Sequence, residues 1–135
     1  MNYNFDHVGL SVADLDKQES FYRVALGLDD AVERVEIPAA GIRTVILQAA
    51  SGLRLELIER ADSSGQEFAD AYDGASVQGL FHWALRVDDL DAAFSALVDA
   101  GARVVSAPAP GMSEGARFAY VKDPEGNLIE IIQPA

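Results

Sequence analysis

Residues 5–16 read FDHVGLSVADLD, and residues 80–91 read LFHWALRVDDLD. His7 aligns with His82, and Val12-Ala13-Asp14-Leu15-Asp16 aligns with Val87-Asp88-Asp89-Leu90-Asp91, at a spacing of 75. The match resumes at a spacing of 74, with Gly41-Ile42-Arg43-Thr44 against Gly115-Ala116-Arg117-Phe118 and Glu56-Leu57-Ile58 against Glu130-Ile131-Ile132. Several matches in the same order, with one slip of a single residue, mark a duplicated module.

Each copy has the same anatomy. Apolar alternation over 7–12 and 82–87 predicts an opening strand. A helix follows, starting at Asp14 or Asp16 in the first copy and at Asp89 or Asp91 in the second, because aspartate caps orphan amides. Glu19 is placed to favour the positive end of the first helix. The apolar stripes are Leu15, Phe21, Tyr22 and Ala25, then Leu90, Phe94, Leu97 and Val98. Gly27 and Gly101 suit the helix ends. Strands are then expected over 42–48 and 54–58, around the turn 49–52, and over 117–121 and 128–132, around Asp123-Pro124-Glu125-Gly126-Asn127. Each module thus reads strand–helix–strand–strand–strand. The first occupies 4–60 and the second 80–133. Between them 61–79 is polar, small and glycine-bearing, and reads as a linker with a short helical turn around Phe68 and Tyr72. Residues 108–113, PAPGMS, read as a mobile loop that could close over a substrate.

Half the residues are apolar and 24% are charged, which suits one soluble globular domain over 1–135. The formal net charge is −12, which sets the chain against phosphate backbones and anionic lipid. Nucleic acid and membrane are therefore not expected partners. No apolar run approaches the ~20 residues of a membrane span, and the N-terminus lacks the pattern of a secretory signal. There is no cysteine, which removes thiolate chemistry and fits a cytoplasmic protein.

The chain has two histidines, and the repeat puts both at the same place in their modules. Each module also carries a glutamate among apolar neighbours on its last strand: Leu55-Glu56-Leu57 and Ile129-Glu130-Ile131. Period two puts Glu56 on one face with Arg54 and Ile58, and Glu130 with Leu128 and Ile132. A lone histidine or glutamate in such a strand is usually structural. Four ionisable groups at equivalent positions of a duplicated unit are not independent, and a bound cation is one reason to keep a half-buried carboxylate. His7, Glu56, His82 and Glu130 are thus expected to hold one divalent metal ion. Two imidazoles and two carboxylates suit nickel, cobalt, zinc, manganese or iron rather than calcium.

With these residues the chain resembles the vicinal oxygen chelate superfamily, which comprises glyoxalases, bleomycin resistance proteins and dioxygenases. The resemblance rests on His7-Val8-Gly9, the Val12-Ala13-Asp14-Leu15 and Val87-Asp88-Asp89-Leu90 helix starts, Phe21-Tyr22, Leu26-Gly27-Leu28 and Asp123-Pro124-Glu125-Gly126-Asn127 followed by Glu130. It implies an α+β fold of two tandem βαβββ modules, forming a cup-shaped mixed sheet around one metal site, and a homodimer acting on a small molecule. The ligand order His, Glu, His, Glu is similar to that of short bacterial glyoxalase I. That likeness implies a lyase or isomerase that abstracts a proton next to a carbonyl, through a metal-bound enediolate. It implies Glu130 as the base and Glu56 as its counterpart.

The pattern is departed from at three positions. Ser11 stands where glyoxalases have a glutathione-contacting arginine, and Arg60 where they have an asparagine. A resemblance to methylmalonyl-CoA epimerase, seen in Ile37-Pro38-Ala39-Ala40-Gly41-Ile42-Arg43, puts Thr44 where that enzyme has its catalytic glutamate. Two alternatives stay open: a metal-bearing binding or resistance protein without turnover, and an iron(II) extradiol-type dioxygenase using His7, His82 and Glu130. Arg43 and Arg117 hold equivalent repeat positions and are expected to pair with surface acids. Trp83 is expected to pack on the face away from His82.

Overall fold

The computed structural model describes residues 1–135. The chain forms two compact units, Met1–Gly65 and Gln66–Ala135, each built the same way. In the first, β1 (Val8–Val12) leads to α1 (Leu15–Leu26), then β2 (Asp30–Ile37), a single 3-10 turn at Pro38–Ala40, β3 (Ile42–Gln48) and β4 (Arg54–Arg60). In the second, α2 (Ala71–Gly74) precedes β5 (His82–Arg86), α3 (Leu90–Asp99), β6 (Arg103–Pro110), β7 (Arg117–Lys122) and β8 (Leu128–Gln133). The sheet orders are β1-β4-β3-β2 and β5-β8-β7-β6. In both, the first strand runs parallel to the last and the other pairings are antiparallel. The fold is α+β, two βαβββ modules, as the repeat and the resemblance implied. No helix is long and apolar enough to cross a membrane.

The duplication extends to the helix starts. Asp14 and Asp89, rather than Asp16 and Asp91, cap α1 and α3, each accepting from the amide three residues on at 3.0 Å. A second bond ties each helix start to the last strand: Leu15 N donates to Glu59 Oε2 and Leu90 N to Gln133 Oε1, both at 2.8 Å. Arg43 then holds Glu59, and Arg117 holds Asp91. Both arginines are therefore spent on acids at a helix start, as the sequence suggested. Gly27 ends α1 in the left-handed conformation, at φ 63°, where a Cβ would be strained.

Each core lies between the helix and one face of the sheet. Val12, Leu15, Phe21, Tyr22, Val45, Leu47, Leu55 and Leu57 are buried in the first unit, and Leu90, Leu97, Ala119, Val121, Ile129 and Ile131 in the second. The ladder explains the alternation. Leu57 stands opposite Val45 and Leu55 opposite Leu47, so these four share a face, while Glu56 pairs with Ile46 and turns to the other. Likewise Glu130 pairs with Tyr120 on the face away from Ile129 and Ile131. Trp83 has the opposite parity to His82 on β5, as expected.

Three local expectations are corrected. Glu19 lies beyond the first turn and does not serve the helix end. It is buried, accepts from Arg23 at 2.9 and 3.1 Å, and clamps Arg34 on β2. Residues 108–110 are not loop but the end of β6, with Ala109 opposite Phe118 and Pro110 opposite Arg117. Proline is tolerated there because β6 is an edge strand whose ladder is irregular between Ser106 and Ala109. His7 sits one residue before β1 rather than within it, because the ladder with β4 begins at Val8 opposite Leu55.

The Glu19 clamp makes a prediction. Arg34 and Arg23 hold its carboxyl below the ordinary range. Glu19→Gln is expected to cost about 1–2 kcal/mol near neutral pH, since charge-assisted bonds are lost and the partners are partly exposed. A depressed folded pKa means the contribution is present above the unfolded value of 4.5 and is lost as pH falls through the folded value. Urea unfolding of both proteins at pH 7 and pH 3 checks this, with the gap closing at the lower pH.

Candidate metal centre

The parallel pairing of the first and last strand of each unit brings a histidine to a glutamate. In the first unit His7 shares parity with Gly9 and Ser11, and Gly9 stands opposite Glu56. His7 Nε2 lies 3.0 Å from Glu56 Oε2. In the second, His82 Nε2 lies 3.1 Å from Glu130 Oε2. All four side chains are partly exposed, between 18% and 31%, so they are shielded yet open to a ligand. The four residues singled out from the repeat therefore form two pairs of the same geometry, one per unit. The structure brings these residues together only as pairs: nowhere do three His, Asp or Glu side chains gather into a group that could hold a metal ion.

The surroundings of the pairs differ. Asp6 Oδ2 lies 2.6 Å from His7 Nδ1, and Arg54 Nη1 lies 3.2 Å from both Asp6 oxygens. Asp6, aided by Glu56, raises the His7 pKa above the ordinary imidazole range against a smaller effect of burial. The same bond lowers the Asp6 pKa. His82 has no such partner: its Nδ1 is buried and unbonded. Phe81 packs edge-on against its ring at 4.5 Å between centroids, and Tyr120 does so at 5.5 Å. The Tyr120 hydroxyl bonds Glu130, and burial, with that carboxylate beside it, pushes its pKa up to about 12. It is thus a hydrogen-bond donor throughout the working range of a protein.

Asp6, Arg54 and Tyr120 were not foreseen as parts of the site. One clue lay in the mismatches between the copies. Asp6 aligns with Phe81, Arg54 with Leu128, and Ile46 with Tyr120, so the duplicated pairs sit in unlike settings. The positions that depart from the glyoxalase and epimerase patterns fall on the pair-bearing face. Ser11 has the parity of His7, Arg60 has that of Glu56, and Thr44 pairs with Ile58 two residues from Glu56.

The donor set fits a divalent cation. Two ligand atoms at right angles on one metal, each roughly 2.1 Å from it, stand about 3 Å apart. Each Nε2–Oε2 pair already has that separation, at 3.0 and 3.1 Å. Without a cation, a proton must lie between nitrogen and carboxylate for the contact to be attractive. Mixed imidazole and carboxylate donors favour a borderline metal.

Comparison with known proteins agrees with the fold. A family model described as the Glyoxalase/Bleomycin resistance protein/Dioxygenase superfamily matches residues 4–131. The chain is 30% identical over 127 residues to a probable lactoylglutathione lyase of Synechocystis sp., covering 94% of this chain and 92% of that one. It is also 30% identical over 131 residues to an ethylmalonyl-CoA/methylmalonyl-CoA epimerase of Cereibacter sphaeroides, covering 95% and 96%. Among solved structures, a glyoxalase family protein from Enterococcus faecalis superposes with a TM-score of 0.78 at 18% identity, over 96% of each chain.

Proposed function

This chain belongs to the glyoxalase/bleomycin resistance protein/dioxygenase superfamily, and from that premise we propose that it is a divalent-metal-dependent lyase or isomerase that moves a proton next to a carbonyl group. The observation that carries the proposal is the pair of matched His–Glu contacts at 3.0 and 3.1 Å. His7, Glu56, His82 and Glu130 would hold the ion. When bound, the ion supplies Lewis-acid stabilisation of the negative charge that develops on the substrate oxygen. Relatives named as lyases and epimerases support chemistry of this class.

Glu130 is the base. It takes the proton from the carbon beside the carbonyl and returns it to the neighbouring carbon. Its backbone lies between buried Ile129 and Ile131, and Tyr120 donates to its carboxylate. That bond fixes the carboxylate's direction. Glu56 has Gly9 and Ile46 opposite it in the ladder, and neither side chain offers such a donor. Glu56 is accordingly read as ligand and counterpart. Ser11 and Arg60 do not reproduce the glutathione contacts of glyoxalase I, and Thr44 cannot act as the epimerase base. The substrate is therefore read as a small carbonyl compound other than a glutathione adduct. The reading includes a homodimer in the cytoplasm, with a net charge of −12 disfavouring nucleic acid and membrane as partners.

Protein purified without chelator is expected to carry one nickel, cobalt, zinc or manganese ion per chain. The loaded protein is expected to exchange substrate α-protons with deuterated water, followed by proton NMR over 2-hydroxy ketones, 2-oxoaldehydes and their thiol adducts. Iron together with oxygen uptake on a catechol would overturn the reading in favour of an oxygenase. A loaded protein that exchanges no proton but binds a drug stoichiometrically would overturn it in favour of sequestration.

A further inference from the structure

A metal ion binds the lone pair of an imidazole Nε2, so the ring proton must then reside on Nδ1. What that proton meets decides how well the histidine serves as a ligand. The two histidines of this chain meet opposite situations. His7 Nδ1 faces Asp6 Oδ2 at 2.6 Å, and Arg54 bridges both Asp6 oxygens at 3.2 Å. Asp6 would accept the Nδ1 proton when Nε2 carries an ion, and the contact sets the ring so that Nε2 lies beside Glu56 Oε2. His82 Nδ1 is buried with no acceptor, and Phe81 and Leu128 occupy the repeat positions of Asp6 and Arg54. A proton placed on that nitrogen loses its hydration and gains no bond.

We propose that Asp6, braced by Arg54, is a positioning residue that makes His7–Glu56 the stronger metal-binding pair of this chain and leaves His82–Glu130 the weaker one. The inference rests on the metal reading above and deepens it. The weaker pair contains Glu130, the base of the proposed reaction. A carboxylate that would serve as a base belongs in the pair whose histidine would grip an ion least. Tyr120, bonded to Glu130, would keep that carboxylate in direction. Duplication thus supplied two equivalent pairs, and the mismatched neighbours made one a holder and the other a worker.

Cobalt(II) titration by calorimetry tests this on the full chain. Asp6→Ala is expected to weaken cobalt binding roughly 10- to 100-fold, with Asp6→Asn between it and wild type because the amide oxygen still accepts. His7→Ala is expected to cost more affinity than His82→Ala. A readout independent of metal is the imidazole 15N spectrum of the apoprotein: Asp6→Ala shifts the His7 Nδ1 resonance and leaves those of His82 in place. Asp6 is a 66% exposed side chain, so the variant is expected to fold, and circular dichroism verifies it. Asp6→Ala binding cobalt like wild type, or His82→Ala costing as much as His7→Ala, overturns the inference while the metal reading stands. Wild-type protein that takes up no cobalt overturns both.

Discussion

Glu130→Gln is expected to keep its metal ion and lose turnover by roughly 10²–10⁴-fold, the range that general-base catalysis contributes. The amide has the shape of the carboxylate and still offers an oxygen, so Tyr120 retains an acceptor and the fold is not disturbed. What disappears is the capacity to take up a proton. Glu56→Gln is the matched comparison, because both glutamates stand 3.0–3.1 Å from a histidine at equivalent repeat positions. Its loss is expected to fall on metal affinity instead. Metal content and α-proton exchange, measured on the same preparations, separate the two. Full turnover in loaded Glu130→Gln would remove Glu130 from the role of base. A collapse of metal content in that variant would make it a ligand first.

Leu57→Ala is expected to destabilise the protein by about 2–5 kcal/mol. Leu57 is fully buried on β4, opposite Val45 on β3 and beside Leu10 on β1. Neighbours on both sides hold the sheet, so the space left by three carbons cannot collapse. Ile58 is the control. It is one residue on and only half-buried, on the face that carries Glu56, so Ile58→Ala is expected to cost clearly less. Urea unfolding of both variants checks the order. A loss below about 1 kcal/mol for Leu57→Ala would mean that this core repacks.

Much of this architecture was legible without coordinates. The spacing of His7, Asp14 and Glu56 repeats in His82, Asp89 and Glu130, and one pass along the chain finds it. Period-two runs marked the strands, and aspartates marked the helix starts. The structure departs from the sequence pattern where local chemistry admits two outcomes. Residues 108–113, rich in proline and glycine, suited a loop, yet an edge strand tolerates proline and β6 runs on to Pro110. Glu19 suited a helix dipole, yet Arg34, 15 residues away on β2, competed for it and won.

The candidate site divides along the same line. Read along one dimension, the chain already shows its duplication, the βαβββ order of each copy, and the recurrence of a histidine at the start of the first strand and a glutamate on the last. Those facts are periodic or repetitive, so they survive in one dimension. Tertiary structure alone decided that β1 lies parallel beside β4 and β5 beside β8, which closes gaps of 49 and 48 residues in sequence to contacts of 3.0 and 3.1 Å. It also decided the neighbours: Asp6 and Arg54 around His7, and Phe81 and Tyr120 around His82. A residue's sequence position names its own strand and face, but the partner across the ladder comes from a distant segment. Which donor or acceptor a histidine meets is therefore settled only when the strands pair.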